Sequence, residues 1–358
     1  MMKNRTRRAA LAAAGLIGLA AFAAGQSRQD VTLAAHDQDN NYLVTILVSN
    51  EQDEAPVMDP LLVNAWGIAA SDTGPWWVAD NGSGYSTVYK GDGTKLPLEV
   101  KVPGAPTGTV HNGSTQFQMA ADTPATFLFA SEDGTFSAWN STVDPNNAVV
   151  VFSDPTSNYK GLAIHGDVLY STDFGECKVE AFKGNFFDGS FAEFDTAGGF
   201  RDQSIPQSFC PFGIRAAGDS IFVTYALKDG HDDVPGIGHG FVRQFDDDGN
   251  LVDKVGSRGL LNSPWGLAMA PDDFGRFGGC LLVGNFGDGK INAFCQNHGG
   301  QWHFAGRLRH RTHAISIDGL WGIGFGNDGA AGPHDVLYFA AGPDEESNGY
   351  YGKVEAVH

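Results

Sequence analysis

One short phrase recurs six times along this chain, and a repeat of that kind restricts the fold more than any single residue does. The phrase is a bulky residue, a glycine and an aliphatic residue, followed by a second hydrophobic strand and a tight turn. It reads Trp66-Gly67-Ile68, Lys160-Gly161-Leu162, Phe212-Gly213-Ile214, Trp265-Gly266-Leu267 and Trp321-Gly322-Ile323, with a degenerate copy at Thr107-Gly108-Thr109. Spacings of roughly 40 to 55 residues are those of one four-stranded propeller blade.

The fifth unit is the clearest. Leu267 to Ala270 reads as an inner strand, next to a glycine that lets backbones crowd near an axis. Cys280 to Gly284 and Lys290 to Cys295 flank a Gly/Asp turn, and Trp302 to Leu308 supplies an outer strand. One such unit cannot bury its own faces, so the units must stack in a ring. The expected fold is all-β, a six-bladed β-propeller over residues 42–358 with no linker. The sixth unit runs short, because its third strand, Lys353 to Val357, is followed only by His358. A β-rich run ahead of the first unit, Tyr42 to Val48, is expected to complete that last blade and remove an open edge.

Residues 1–24 read as a signal peptide. Lys3, Arg5, Arg7 and Arg8 precede an Ala-rich apolar run, and Ala21-Phe22-Ala23 fits the small-x-small cleavage pattern. Residues 25–41 then form a flexible N-terminal segment. The implied location is periplasmic or extracellular, by an ordinary secretory or a twin-arginine route. The leader carries four positive and no negative residues, so its removal takes the formal net charge from −19 to −23. A surface that acidic repels nucleic acid and anionic membranes. A soluble monomer with no membrane span is expected.

Four cysteines in an exported chain are read as two disulfides. Cys280 and Cys295 are equidistant from the turn at Gly287-Asp288 and should face each other across one hairpin. Cys177 lies in the hairpin turn of the third unit and Cys210 in the lead-in to the fourth, so they form the second pair.

Two classes of loop should converge on one face around the central channel: those leading into each inner strand, and those joining second to third strands. The first class offers Asn64, His111 with Asn112, Tyr159 with Lys160, Asn262 and Asp318; the second offers Asp80 with Asn81, Glu132 with Asp133, Asp173, Tyr225 and Asn285. Crowded carboxylates repel unless a cation, a proton or a lysine compensates. Asp80, Asp133, Asp173, Asp233 and Asp318 are therefore candidate ligands for Ca2+ or another divalent cation. Asn64, Asn81, Tyr159, Lys160, Tyr225 and Asn285 are candidate ligand-binding residues. Asp, Asn and Gly are equally what tight turns demand. The aromatic residues Trp66, Phe212, Trp265 and Trp321 are expected to wedge between neighbouring blades as core.

The long loop Lys228 to Gly240 replaces a short turn in the fourth unit, and long loops on rigid scaffolds tend to carry function. Its His231 and Asp232 could form a general-base pair, or His231, Asp232, Asp233 and His239 could hold a metal through mixed donors. The plainer reading has the aspartates capping the loop and His231 in solvent.

The phrases Asn64-Ala65-Trp66-Gly67-Ile68, Trp77-Val78-Ala79-Asp80-Asn81, Glu132-Asp133-Gly134-Thr135, Tyr159-Lys160-Gly161-Leu162, His231-Asp232-Asp233-Val234, Ser263-Pro264-Trp265-Gly266-Leu267, Gly284-Asn285-Phe286-Gly287-Asp288-Gly289 and Ile317-Asp318-Gly319-Leu320-Trp321 resemble, in that order, an uncharacterised family of exported bacterial propeller proteins. Some of its members carry a C-terminal Pro-Glu-Pro sorting tag, which this chain lacks. The resemblance implies the fold and export but brings no catalytic residues. More distantly the repeats resemble NHL-repeat and gluconolactonase-like propellers, and the latter likeness implies a channel-centred divalent ion and hydrolysis of lactones or esters. Three functions follow: a propeller binding a ligand, glycan or protein partner at its channel mouth, with or without a divalent cation; a divalent-metal-dependent hydrolase; or a structural surface protein.

Overall fold

The computed structural model of the chain describes residues 40–357, so the expected signal peptide and nearly all of the 25–41 segment lie outside the described residues. Six antiparallel sheets form the six blades of a β-propeller. Their inner strands are Ala65–Ala69, Pro106–His111, Tyr159–His165, Phe209–Ala217, Pro264–Met269 and Leu320–Phe325. Five blades run inner to outer in chain order. The sixth is finished from the other end of the chain: Tyr42–Ser49 pairs antiparallel with Tyr350–Ala356, from Tyr42 opposite Ala356 to Ser49 opposite Tyr350. A two-residue strand, Val57–Met58, then adds in parallel outside it.

The repeated glycine explains how six blades fit round one axis. Most inner strands slip register at or beside it, between Ala65 and Ile68, Tyr159 and Gly161, Pro211 and Ile214, Pro264 and Gly266, and Leu320 and Ile323. Such bulges sharpen the local twist. Each glycine also lies against the inner strand of the next blade. A methyl group there would sit 2.5 Å from the Thr107 carbonyl at Gly67, 2.4 Å from the Leu162 amide at Gly108 and 3.1 Å from the Phe212 carbonyl at Gly161. It would sit 2.1 Å from the Trp265 carbonyl at Gly213, 2.4 Å from the Trp321 carbonyl at Gly266 and 2.5 Å from the Trp66 carbonyl at Gly322. The last contact returns to the first blade, so the ring closes through backbone as well as through the paired chain ends.

Apolar clusters fill the spaces between blades. Trp76, Val78 and Tyr89 of blade one pack on Tyr338 and Tyr351 of blade six, and Trp77 stacks on Phe127 of blade two with centroids 4.2 Å apart. The aromatic residues that head the repeats behave differently from the expectation. They are buried, but they meet one another across the axis instead of wedging between neighbours. Trp66 stacks on Trp321 at 3.5 Å, Trp265 meets both edge-on, Phe212 reaches Trp321 at 5.8 Å, and Phe286 stacks on its other side at 3.9 Å. Blades one and five, or four and six, are not neighbours, so such contacts are possible only near the axis. The result is an aromatic plug.

Both disulfides form as expected. Cys280 and Cys295 bridge one hairpin of blade five, with Cα atoms 4.4 Å apart. Cys177 and Cys210 join blade three to the inner strand of blade four, with Cα atoms 4.7 Å apart. Their sequence separations of 15 and 33 correspond, in a chain-entropy account, to about 3 and about 4 kcal/mol.

The glycine ring makes a direct prediction. Gly213→Ala should lower unfolding free energy in urea by about 3 kcal/mol or more, because backbone on two blades must separate. Gly218→Ala, at an exposed turn with φ 56° and open space around it, should cost only about 1 kcal/mol of left-handed strain. Equal losses would remove the close approach as the cause.

Candidate functional site

The face where the inner strands begin carries a polar mouth directly over the aromatic plug. Each blade contributes to it. Blade one supplies Asn64 and Asn81, whose side chains hydrogen-bond at 3.2 Å, Asn64 donating. Asn81 in turn donates to Glu132 of blade two at 3.0 Å. The other oxygen of Glu132 is paired with the ammonium of Lys160 of blade three, which is buried and lies over the Trp66 ring, 5.2 Å from its centroid. Beneath it the Trp265 indole donates to the Lys160 carbonyl at 3.1 Å. Blade four brings Asp233, blade five Ser263 beside it, and blade six Glu346 beside Asn64; Lys160 is within coulombic reach of both acids.

The electrostatics of this ring are unfinished. Burial holds the carboxyls of Asp233 and Glu346 above their usual range, and each raises the other or is raised by a neighbouring acid. Asp233 faces Ser263, and Glu346 faces Asn64, yet neither pair reaches hydrogen-bond geometry, so Asp233 Oδ2, Ser263 Oγ, Glu346 Oε1 and Asn64 Oδ1 are all buried without a partner. The indole N–H groups of Trp66 and Trp321 below are also buried and unpartnered. Buried polar atoms are normally paired, and each orphan costs roughly 1–3 kcal/mol. Six such atoms fall at this mouth and in the aromatic plug beneath it.

The backbone stores strain at the same place. Asp344, Glu345 and Glu346 adopt successive left-handed conformations, with φ 56°, 54° and 65°, as do Asn64 at 48° and Ser263 at 45°. For residues other than glycine each costs on the order of 1 kcal/mol, and such strain clusters where a side chain must be aimed. The turn is suspended by Asp318, which accepts from the Asp344 amide at 3.0 Å, and by Asn348, whose carbonyl accepts from the Asn64 amide at 2.9 Å. Glu346 is not among the residues expected from the sequence, which include none from the blade-six hairpin. Pro343 to Gly349, an acidic stretch in the position of Asp80-Asn81 and Glu132-Asp133, is the signal that could have found it.

Other expected site residues lie elsewhere. The Tyr159 ring is buried between blades two and three, its hydroxyl donating to Glu180 at 2.6 Å, and Tyr225 is buried in the core with its hydroxyl on the Phe200 carbonyl at 2.9 Å. Both point away from the mouth because side chains alternate along a strand. Asn285 is fully buried, donating to the Leu260 carbonyl and to Asp288, and thereby ties its turn together. Asp80 is fully buried toward Asp59, Tyr89 and Lys95, and burial raises its carboxyl well above the usual range. Asp133 caps its own turn by accepting from Thr135 at 2.7 Å. His111 follows its glycine by three residues where Asn64 precedes its own by three, so it sits at the opposite end of the channel.

The long loop of blade four is an extended hairpin, with Lys228–Asp229 pairing Asp232–Asp233. His231 and Asp232 are exposed at its tip, whereas Asp233 turns inward. His239 is held by the Val234 carbonyl at 2.8 Å. At its base Lys228 donates to the carbonyls of Phe174 and Gly175. Among the described residues, Asp173, Glu176 and Glu180 form the acidic group whose ligand atoms all lie within 4.8 Å, and that cluster could hold a metal ion. Lys178 already bridges Glu176 and Glu180 at 2.7 Å each.

Because the folded protein holds the Glu346 proton more tightly than an unfolded chain does, stability is lost as pH rises from the unfolded value of 4.5 through the raised folded value. Glu346→Gln should therefore melt higher than the parent at neutral pH, with the difference vanishing below the unfolded value. Thermal melts across that range check the sign; a variant that melts lower at neutral pH contradicts it.

No protein-family model matches the chain. Two proteins of Acanthamoeba polyphaga mimivirus, both described only as uncharacterised, are similar over most of its length. R648 is 32% identical over 332 residues, covering 87% of this chain and 79% of that protein. L690 is 30% identical over 335 residues, covering 87% and 85%. Among solved structures, a protein of unknown function from Bacteroides thetaiotaomicron superposes with TM-score 0.55 at 12% identity, covering 88% of this chain and 76% of that one. The soluble aldose sugar dehydrogenase of Escherichia coli gives 0.52 at 14%, and virginiamycin B lyase of Staphylococcus aureus 0.50 at 14%, each covering 88% of this chain and 100% of the other. These likenesses carry the fold, and their differing named activities show that the fold does not choose among functions.

Proposed function

The chain belongs to the family of the mimivirus proteins R648 and L690, and from the site its propeller carries we propose that it is an exported protein that binds a donor-rich small ligand, such as a glycan, at the six-blade mouth. The observation that carries this reading is the set of orphaned buried polar atoms around Lys160. The mouth is rich in acceptors: the carboxylates of Glu132, Asp233 and Glu346 and the Asn64 amide oxygen. A ligand that satisfies them must bring hydroxyl or ammonium donors, which sugars and amino sugars do. The paired chain ends, the aromatic plug and the Cys177–Cys210 bridge hold these groups on a rigid frame, so little ordering would oppose binding. Two disulfides agree with an oxidising compartment.

The divalent-metal hydrolase reading asks for a cation at the centre of the mouth. Lys160 stands there already and is paired with Glu132, which favours binding over metal-assisted hydrolysis. Part of the charge compensation that the acidic ring requires is thus supplied within the chain. His231 and Asp232 retain a role, as an exposed rim that a bound partner could touch.

Calorimetric titration with neutral and amino-sugar oligosaccharides tests the proposal. Binding by one class is expected, weakened roughly tenfold or more by Glu132→Gln combined with Asp233→Asn. Full binding by that double variant, or no binding by any of these sugars in the millimolar range, overturns it. Binding that appears only with added calcium would transfer support to the hydrolase reading.

A further inference from the structure

On the other side of the aromatic plug the axis opens into a cavity of about 230 Å³, lined by the outgoing halves of the inner strands. Its wall mixes aliphatic side chains such as Ile68, Leu162, Ile214 and Ile323 with polar surface, to which the backbone of the repeated glycines contributes. Three polar side chains stand in that lining: Thr109, whose hydroxyl donates to the Leu128 carbonyl, His111 at the end of the blade-two inner strand and Arg215 on the blade-four inner strand.

Arg215 is the anomaly. Its side chain is half-buried, it lines the cavity, and burial draws its pKa below the ordinary value. Among the described residues it has no hydrogen-bond or ion-pair partner. A half-buried guanidinium without an anion carries part of the desolvation cost of a buried charge with no ion pair to offset it. The deeply buried Arg243, by contrast, donates to Asp202 at 2.6 Å and to the carbonyls of Val242 and Gly256. In a protein with formal net charge −19, a lone cation left unpaired on the axis calls for an anion from outside.

We propose that the axial cavity is a second binding site, for a small organic carboxylate whose head pairs with Arg215 and His111 and whose apolar body lies along the aliphatic wall. The guanidinium fork matches a carboxylate through two parallel hydrogen bonds. His111 is held edge-on against Phe127 with ring centroids 5.3 Å apart. Burial lowers its pKa while Asp72, within coulombic reach, opposes that shift. A neutral imidazole serves as the second donor through its ring N–H. A fully polar anion would leave the wall unused, and an uncharged apolar molecule would leave Arg215 unpaired. The site is separated from the polar mouth by the plug, so it stands or falls independently of the function proposed for that mouth.

Titration of the intact protein with hexanoate, hexanol, acetate and inorganic phosphate tests the assignment, read by calorimetry and by the shift in melting temperature. Hexanoate should bind saturably and raise the melting temperature, with the other three weaker by roughly tenfold or more. Arg215→Met should abolish that response while melting higher than the parent without ligand, because it removes an uncompensated charge. His111→Gln should weaken hexanoate binding several-fold, and it keeps the test available if the first variant does not fold. Glu132→Gln, in the mouth, should leave hexanoate binding unchanged. Phosphate binding as tight as hexanoate, no hexanoate binding in the millimolar range, or an Arg215→Met protein that melts lower and still binds would each overturn the proposal.

Discussion

Backbone-to-backbone contact at the six repeated glycines is the interaction on which the rest of this structure depends. Where Gly213 meets the Trp265 carbonyl or Gly322 the Trp66 carbonyl, there is no room for even a methyl group. That closeness keeps the inner strands near the axis and sets how tightly the ring can close. It also brings one residue ahead of each glycine close enough to its counterparts on other blades to touch them. The plug of Trp66, Trp265, Trp321 and Phe212 is the direct consequence.

The plug divides the axis into two environments of opposite character. On one side the incoming loops of six blades gather acids, amides and a single buried lysine, with acceptors in excess and several polar atoms left without partners. On the other, the outgoing strand halves enclose a cavity of aliphatic side chains and backbone that carries a guanidinium with no anion. Neither side could be assembled from one blade. Each depends on residues far apart in sequence, such as Asn64 and Glu346, or His111 and Arg215.

Much of the architecture was legible in the residues. The Trp-Gly-Ile phrase and its spacing led to six blades, the short sixth unit to closure by Tyr42–Ser49, and the symmetric placement of Cys280 and Cys295 about a turn to their bridge. The placement of Asn64, Asn81, Lys160 and Asp233 at the mouth was legible too, because loop class alone decides which face they reach. The errors have a common origin. Tyr159 and Tyr225 sit at the correct end of a blade but point between blades, and strand alternation relative to a bulge decides that direction. His111 went to the wrong end because the degenerate second repeat hid its register against the glycine.

The sequence by itself determined the repeat, hence the ring, the closing strand and the cysteine pairs, since these follow from periodicity and from which edges must be covered. Only the tertiary structure decided which polar groups meet and which remain unpaired. Partnership is a matter of direction and depth across the axis: Lys160 finds Glu132, while Arg215, on an equally regular strand, finds only a cavity. Periodicity says nothing about that difference, because it arises where all six strands converge.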